Sequence, residues 1–388
     1  MAGEQLKVDV NSLTFELTDR IKTYLKMMVQ RGGSDLHIKS GMNIKARING
    51  KIEVLSDEII EKKGGITLAK ELLRTRFGEF VDNKEADFVF IVNDELRFRV
   101  NMFFQMDGVS AVFRAISSTK KTIAELKLPE SVNRIPYFER GLVLVTGVTG
   151  SGKSTTLAAI INDINMNLSK HIITIEDPIE FIHKDNKCII NQRSVGQDTN
   201  SFENALRSAL REDPDIILVG EMRDMETVEM ALHAAETGHL VFSTLHTTDA
   251  KETINRIVSI FPGNEQNKIR YTLANNLQAV ISQRLVKSKD GGRRVAVELL
   301  FKTPRIENLI REGRDKEIGD ALYEGKNIYG TQTFDQALLD LILQGDIHEE
   351  DGLASATSAS DLKLKLSMND KTQHLEKEKG VIKLKIVD

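Results

Sequence analysis

The stretch Leu142-Val-Leu-Val-Thr146, continued by Gly147-Val-Thr-Gly-Ser-Gly-Lys153-Ser154 and then by the helical Thr155 to Asn162, decides the fold. An apolar run without alternation reads as a parallel strand buried on both faces. The glycines after it match G-x-x-x-x-G-K-[ST], and the strand before and helix after make the match specific. Such a loop turns backbone N–H groups inward around phosphates at a helix N-terminus. A lysine meets the outer phosphate charge and a hydroxyl meets Mg²⁺. The candidate phosphate-binding residues are therefore Gly147, Thr149, Gly150, Ser151, Gly152, Lys153, Ser154 and Thr155.

Working outward, Ile172 to Ile175, Ile216 to Val219 and Leu240 to Thr244 are further apolar runs separated by helical segments. In one of these segments Phe202, Ala205, Leu206, Ala209 and Leu210 form a helical stripe. The fold class is α/β, a doubly wound core over residues 137–302. Loops at the C-terminal ends of its parallel strands converge on the ligand crevice, so the residues just past each strand are the next candidates. Asp215-Ile-Ile-Leu-Val-Gly-Glu221 ends in a carboxylate that either faces Mg²⁺ through water or polarises an attacking water. Glu176-Asp177-Pro178-Ile179-Glu180 follows the second strand. His239 precedes the fourth and His246 follows it. A histidine there senses an outer phosphate, or, for His239 with equal weight, positions the strand.

On the N-terminal side, Leu17, Ile21, Tyr24, Leu25 and Met28 recur at helical spacing up to Gly32-Gly33. Leu36/Ile38 and Ile44/Ala46/Ile48 then alternate, with Asn49-Gly50 as a hairpin turn. A helix over about Ile66 to Phe80 and strands Phe88 to Val92, Leu96 to Phe103 and Val109 to Ile116 complete an α+β domain of residues 1–116. Residues 117–136, with two prolines, break both periodicities and are the expected linker. Residues 303–350 are expected to be mainly helical, and residues 351–388 are the candidate disordered tail.

Of the 388 residues, 53 are Lys or Arg and 57 are Asp or Glu, a net charge of −4 that offers no global attraction to a polyanion. The single cysteine, Cys188, excludes an intrachain disulfide and a multi-cysteine zinc site. No apolar run approaches the roughly 18 to 20 residues that span a bilayer, and no leader pattern opens the chain. The expectation is a folded protein of a reducing, intracellular compartment.

The order and spacing of these four segments resemble the secretion-type ATPases that drive type II secretion, type IV secretion and type IV pili. The resemblance aligns them as a Walker A loop, an Asp box (Thr174 to Glu180), an atypical Walker B ending in Glu221 and a His box (His239 to His246). Within that superfamily the chain looks most like the type IV pilus retraction, or twitching motility, ATPases of the PilT/PilU family. Gly33-Ser-Asp-Leu-His-Ile38, Ala209 to Asp224 and Thr237 to Thr247 carry the likeness, which runs from about residue 15 to 350.

The resemblance implies a hexamer of chains, each with an N-terminal PAS-like domain joined by a linker to a RecA-like P-loop core, using ATP and Mg²⁺. It implies that Lys153 and Ser154 hold phosphates and metal, with Glu221 as the Walker B acid on the metal side. Glu180 becomes the water-activating candidate and His246 the γ-phosphate sensor, while Arg99, Arg114 and Arg140 are candidates for contacting the nucleotide. The implied partners are an inner-membrane pilus platform protein and a paralogous retraction ATPase, with no nucleic acid and no zinc. The implied location is cytoplasmic, peripheral to the inner membrane.

Two departures bear on the reading. Extension-type relatives commonly add a large N-terminal region and a tetracysteine zinc module; this chain shows neither, which favours retraction. The retraction signature Ala-Ile-Arg-Asn-Leu-Ile-Arg-Glu appears as Arg305-Ile-Glu-Asn-Leu-Ile-Arg-Glu312, so Glu307 replaces an arginine. Ile306, Leu309 and Ile310 give this segment an apolar face that suits core packing or coupling equally. The PilT and PilU types stay unresolved. An extension-type ATPase and a nucleotide-gated switch without turnover are the alternatives. A nucleic-acid translocase is disfavoured because no basic stripe interleaves with aromatics, which are 5% of residues.

Overall fold

Alternation and helical spacing in the N-terminal third produce a single antiparallel sheet in the computed structural model, which describes residues 8–93, 96–116 and 121–369. Strands β1 (Gly33–Lys39), β2 (Asn43–Ile48), β3 (Lys51–Ile59), β4 (Glu85–Ile91), β5 (Arg97–Gln105) and β6 (Gly108–Ile116) lie in the order β3-β2-β1-β6-β5-β4. The turn between β2 and β3 is Asn49-Gly50, both at positive φ (49° and 82°), as a type I′ hairpin requires. One face of the sheet supplies Leu36, Ile38, Ile44, Ala46, Phe98, Val100, Met102, Ala111 and Phe113 to a core shared with α1 (Glu16–Gln30), α2 (Lys62–Leu73) and α3 (Phe77–Asn83). The N-terminus of α1 has no side-chain cap of its own. Buried Glu71 of α2 takes that place, accepting hydrogen bonds from Thr18 N and Oγ1, both at 2.8 Å.

This is the first of two units, Met1–Thr119 together with Glu180–Ile182; the second comprises Lys120–Ile179 and His183–Asp388. The second is built on a seven-stranded sheet. Its strands are β7 (Gly141–Thr146), β8 (His171–Glu176), β9 (Ile189–Ser194), β10 (Ile216–Val219), β11 (Leu240–Leu245), β12 (Leu277–Lys287) and β13 (Arg293–Phe301). They run in the order β13-β12-β7-β11-β10-β8-β9, parallel throughout except that β13 is antiparallel to β12. All of β7, β10 and β11 is buried, as expected of strands covered on both faces.

Helices cover both sides of the second sheet: α4 (Lys153–Asn167), α5 (Phe202–Ala209), α6 (Met225–Glu236), α7 (Ala250–Ser259) and α8 (Gln266–Asn276). The C-terminal helices are α9 (Pro304–Glu312), α10 (Ile318–Glu324), α11 (Lys326–Tyr329), α12 (Phe334–Leu343) and α13 (Glu349–Ser355). No helix of the described residues is long and apolar enough to cross a membrane. The α/β class with an N-terminal α+β domain is thus what the chain adopts.

Two expected boundaries need correction. The linker does not extend to residue 136: Ile123, Leu128, Val132 and Ile135 are buried in one cluster with Leu157, Ile160, Ile161 and Ile164 of α4. Prolines and a short 3₁₀ turn (Glu130–Tyr137) hid the apolar spacing. The expected disordered tail is helical over residues 359–369, where Leu362 and Leu366, four apart, are buried against Phe334, Leu338 and Val286. Backbone N–H groups of Thr357 and Ser358, just ahead of that helix, donate to the Asp335 carboxylate (2.7 and 3.0 Å). The rest of the tail, residues 370–388, lies outside the described residues.

A fragment of residues 121–369 should therefore melt cooperatively. One beginning at residue 137 forfeits four buried apolar side chains, each contributing roughly 1.5–3 kcal/mol, a loss on the order of 5 kcal/mol or more. Thermal unfolding followed by circular dichroism compares them; equal melting temperatures would show that residues 121–136 do not belong to the core.

Candidate functional site

The site begins where β7 ends. Gly147 sits at φ +141°, and a Cβ there would meet Gln283 O and Ser151 Oγ, each at 2.6 Å, so only glycine passes this point. Gly150 and Gly152 turn the loop with φ of +80° and +98° in open space, and Gly152 leads into α4. Lys153 is buried. Its Nζ donates to Gly147 O (2.9 Å) and Val148 O (3.3 Å) and stands 3.5 Å from His246 Nδ1. Thr149 Oγ1 lies 3.5 Å from the same ring nitrogen. The loop thus gathers a cation, a hydroxyl and an imidazole at one helix N-terminus, which the helix dipole also makes favourable to anions.

His246 arrives from the end of β11, and its Nε2 lies 3.3 Å from Glu221 Oε1. Side chains of β11 fix that meeting. Ser243 Oγ donates to Val219 O (2.7 Å) and Thr244 Oγ1 to Gly220 O (2.6 Å), while Met222 N donates to Thr244 O (3.2 Å). At Gly220 a Cβ would come within 3.1 Å of Ile175 O, a tight approach that glycine relieves. Arg223 Nη2 closes on Glu221 Oε2 at 2.7 Å. Burial opposes the charge on Glu221, yet the Arg223 hydrogen bond and the charges of His246, Arg223 and Lys153 hold its carboxyl below the usual carboxylate range. The Arg223 guanidinium is in turn raised by its hydrogen bond to Glu221. Lys153, His246, Glu221 and Arg223 form one contiguous polar chain in which the Glu221 carboxylate lies between the imidazole and the Arg223 guanidinium.

Other expected residues lie elsewhere. Glu176 accepts from Thr174 Oγ1 (2.7 Å) and Gln192 Nε2 (3.3 Å), stapling β8 to β9. Glu180, four residues on, is grouped with the first unit. His239 meets α6: its Nδ1 lies 3.0 Å from Ala234 O at the end of that helix. Exposed Arg140 precedes β7, at the opposite end of that six-residue strand from Lys153, about 20 Å away at the usual rise per residue. In the first unit Arg99 and Arg114 are cross-strand partners on the exposed face. Arg114 Nε donates to buried Asp35 Oδ1 at 2.7 Å. Arg223 was not anticipated: it lies within the Ala209 to Asp224 segment, but its role shows only in its contact with Glu221. Gln283, whose Nε2 donates to Thr156 Oγ1 at 2.6 Å and whose carbonyl forces glycine at 147, was hidden in an unrecognised strand.

The loop suits an oxygen-rich, multiply charged ligand. Its backbone is held in left-handed turns, its lysine is already dehydrated, and the buried Ser151 hydroxyl has no hydrogen-bond partner among the described residues. No cluster of three His, Cys, Asp or Glu side chains able to hold a metal occurs among the described residues. A metal here would therefore draw on Ser154, Glu221 and the ligand's own oxygens.

Comparison with known proteins supplies the family. The family described as Type II/IV secretion system protein matches residues 15–350. The type IV pilus retraction ATPase PilT of Pseudomonas aeruginosa is 48% identical over 340 residues, 87% of this chain and 98% of the relative. The type IV pilus ATPase PilU of the same organism is 41% identical over 368 residues, 94% of this chain and 96% of the relative. Among solved structures, the pilus retraction motor PilT with bound ADP aligns at TM-score 0.82 and 44% identity, covering 88% of this chain and 98% of that one.

Two substitutions separate chemistry from folding at this loop. Lys153→Ala removes a point charge and should leave the circular dichroism spectrum intact while ATP hydrolysis falls more than tenfold, about 1.4 kcal/mol or more. Gly147→Ala should also lower the melting temperature, because the new Cβ meets backbone it cannot displace.

Proposed function

The chain belongs to the type II/IV secretion system protein family, as an ATPase of its PilT/PilU group, and from that premise we propose a hexameric motor that hydrolyses Mg-ATP to power pilus retraction and twitching motility. The observation that carries the reading is the meeting of Lys153, His246 and Glu221, drawn from three different strand ends, around one P-loop.

In this reading Lys153 and the backbone of Gly147 to Thr155 hold the phosphates. Ser154 and Glu221 would hold Mg²⁺, which would supply charge neutralisation on the outer phosphate oxygens. Glu221, kept ionised by Arg223, polarises the attacking water, and Glu180 is the second candidate for that role. His246, between Lys153 and Glu221, senses the γ-phosphate and transmits its loss along β11. Arg99 and Arg114 are proposed nucleotide contacts on the strength of the family resemblance, and Arg140, at the far end of β7 from Lys153, is proposed to contact the nucleotide of a neighbouring chain of the hexamer.

Retraction is preferred over extension because the chain spans nearly the whole of a retraction relative and its one cysteine cannot build a tetracysteine module. A switch without turnover is disfavoured by the assembled acid and histidine. The proposed setting is the cytoplasmic face of the inner membrane, against a pilus platform protein and beside a paralogous retraction ATPase.

A coupling role is proposed for the polar side of α9 alone, since its apolar side, Ile306, Leu309 and Ile310, packs in the core. Arg311 lies at the surface side, with Nη2 2.5 Å from Glu307 Oε1 and 3.0 Å from Asn275 Oδ1.

Glu221→Gln should keep ATP affinity within about threefold while kcat falls at least a hundredfold, measured by phosphate release and nucleotide titration. Normal turnover would remove the Walker B role. Arg311→Ala should preserve the hexamer in native mass spectrometry and the ATPase rate, yet abolish twitching; normal twitching would dismiss the coupling role.

A further inference from the structure

One carboxylate of the second unit stands outside the chemistry above. Glu298 of β13 accepts a hydrogen bond from the backbone N–H of Ala250 at 2.8 Å. Ala250 is the first residue of α7, is fully buried, and follows His246 by four positions. Most of the intervening loop is tied to α7 itself. Thr247 Oγ1 meets Thr253 Oγ1 at 2.7 Å; Thr248 donates from N (2.7 Å) and Oγ1 (2.5 Å) to Glu252; Asp249 Oδ1 caps the helix by accepting from Glu252 N at 2.7 Å.

Glu298 reaches this assembly from the sheet. It pairs in register with Ser282 of β12, which pairs with Thr146 of β7, and Thr146 Oγ1 donates to Ser282 Oγ at 2.9 Å. Thr146 is the residue that leads into Gly147. One row across three strands therefore joins the start of the P-loop to the carboxylate that holds the start of α7.

We propose that Glu298 is a positioning residue for ATP hydrolysis: by accepting the Ala250 N–H it seats the His246 loop against the strand row that ends in the P-loop. The inference rests on the His246 reading given above. A fully buried N–H left without its acceptor has no water to turn to, so α7 and the loop ahead of it would shift to recover a partner.

The charge state of Glu298 adds a second readout. Its carboxyl is pushed up to about 7, by burial first and then by the charges of Asp249 on the α7 cap and Asp335 of α12, against the Ala250 hydrogen bond and Arg284 of β12. A folded-state pKa above the unfolded value of about 4.5 means stability is full below that value and declines as pH rises toward 7. A neutral glutamine escapes that decline.

The test uses the full chain. Glu298→Ala and Ala250→Pro each break the bond from one side. Proline is well tolerated at the first position of a helix, and Asp249 before it is already extended at φ −155° and ψ 172°. Each variant should lower kcat at least tenfold with KM for ATP within threefold. The double variant should be no slower than the slower single, because both act through one bond. Glu298→Gln, which keeps the acceptor, should hold kcat within threefold of wild type, and should melt above it at pH 8 but level with it at pH 5. Ala250→Pro keeps the test open if Glu298→Ala does not fold.

A kcat within twofold of wild type for either bond-breaking variant, multiplying effects in the double variant, or a glutamine variant as slow as the alanine one would overturn the proposal. His246→Ala, measured alongside, separates the two readings. If it turns over normally, the His246 role fails on its own evidence and Glu298 has no such loop to position.

Discussion

A lysine ammonium held out of water needs oxygen around it, and the loop between β7 and α4 is shaped to meet that need. Lys153 is buried at the start of α4 with its Nζ against the carbonyls of Gly147 and Val148. Backbone can curl that tightly only where glycine permits it, which is why Gly147, Gly150 and Gly152 all sit at positive φ. The loop in turn needs an immovable strand behind it, which β7, buried along its length between β11 and β12, provides. The neighbours then deliver the rest: β11 brings His246 beside the ammonium, and β10 brings Glu221 beside the histidine. Remove the buried cation and the polar chain from Lys153 through His246 and Glu221 to Arg223 loses its end at the loop.

The elements that sequence revealed are those in which one local rule dominates. Continuous apolar runs marked β7, β8, β10 and β11, and the glycine-lysine spacing marked the loop between β7 and α4. Lys153, His246, Glu221 and Thr149 come together as their positions after strand ends implied. What escaped was set by partners distant in sequence. Strands β12 and β13 were passed over, and with them Gln283 and Glu298, whose roles are defined by Thr156 and Ala250 more than 40 residues away. Arg223 acquires meaning only through its contact with Glu221. Residues 121–136 looked like a linker because a 3₁₀ turn does not repeat at 3.6 residues, although Val132 and Ile135 are fully buried. Three acidic residues at and after the end of β8 looked alike in sequence; packing makes Glu176 a structural staple instead.

The same sheet also ties the C-terminal region to the nucleotide end. Arg284 on β12 donates to Ser355 O (2.8 Å) and lies 3.8 Å from the centre of the Phe334 ring, while Leu299 of β13 pairs with Gln332. These contacts lead from the C-terminal helices back to the strands that carry Gln283 and Glu298. A motor requires such continuity, because a change at the phosphates has to be felt by packed elements that move as bodies rather than by flexible chain.

The measurement that bears most directly on the central claim, that this charge constellation drives retraction, is the number and length of surface pili in cells lacking the chain. The account predicts more and longer pili together with lost twitching, both reversed by the wild-type chain and neither by the chain carrying Lys153→Ala. Cells without surface pili would contradict it and assign the ATPase to extension.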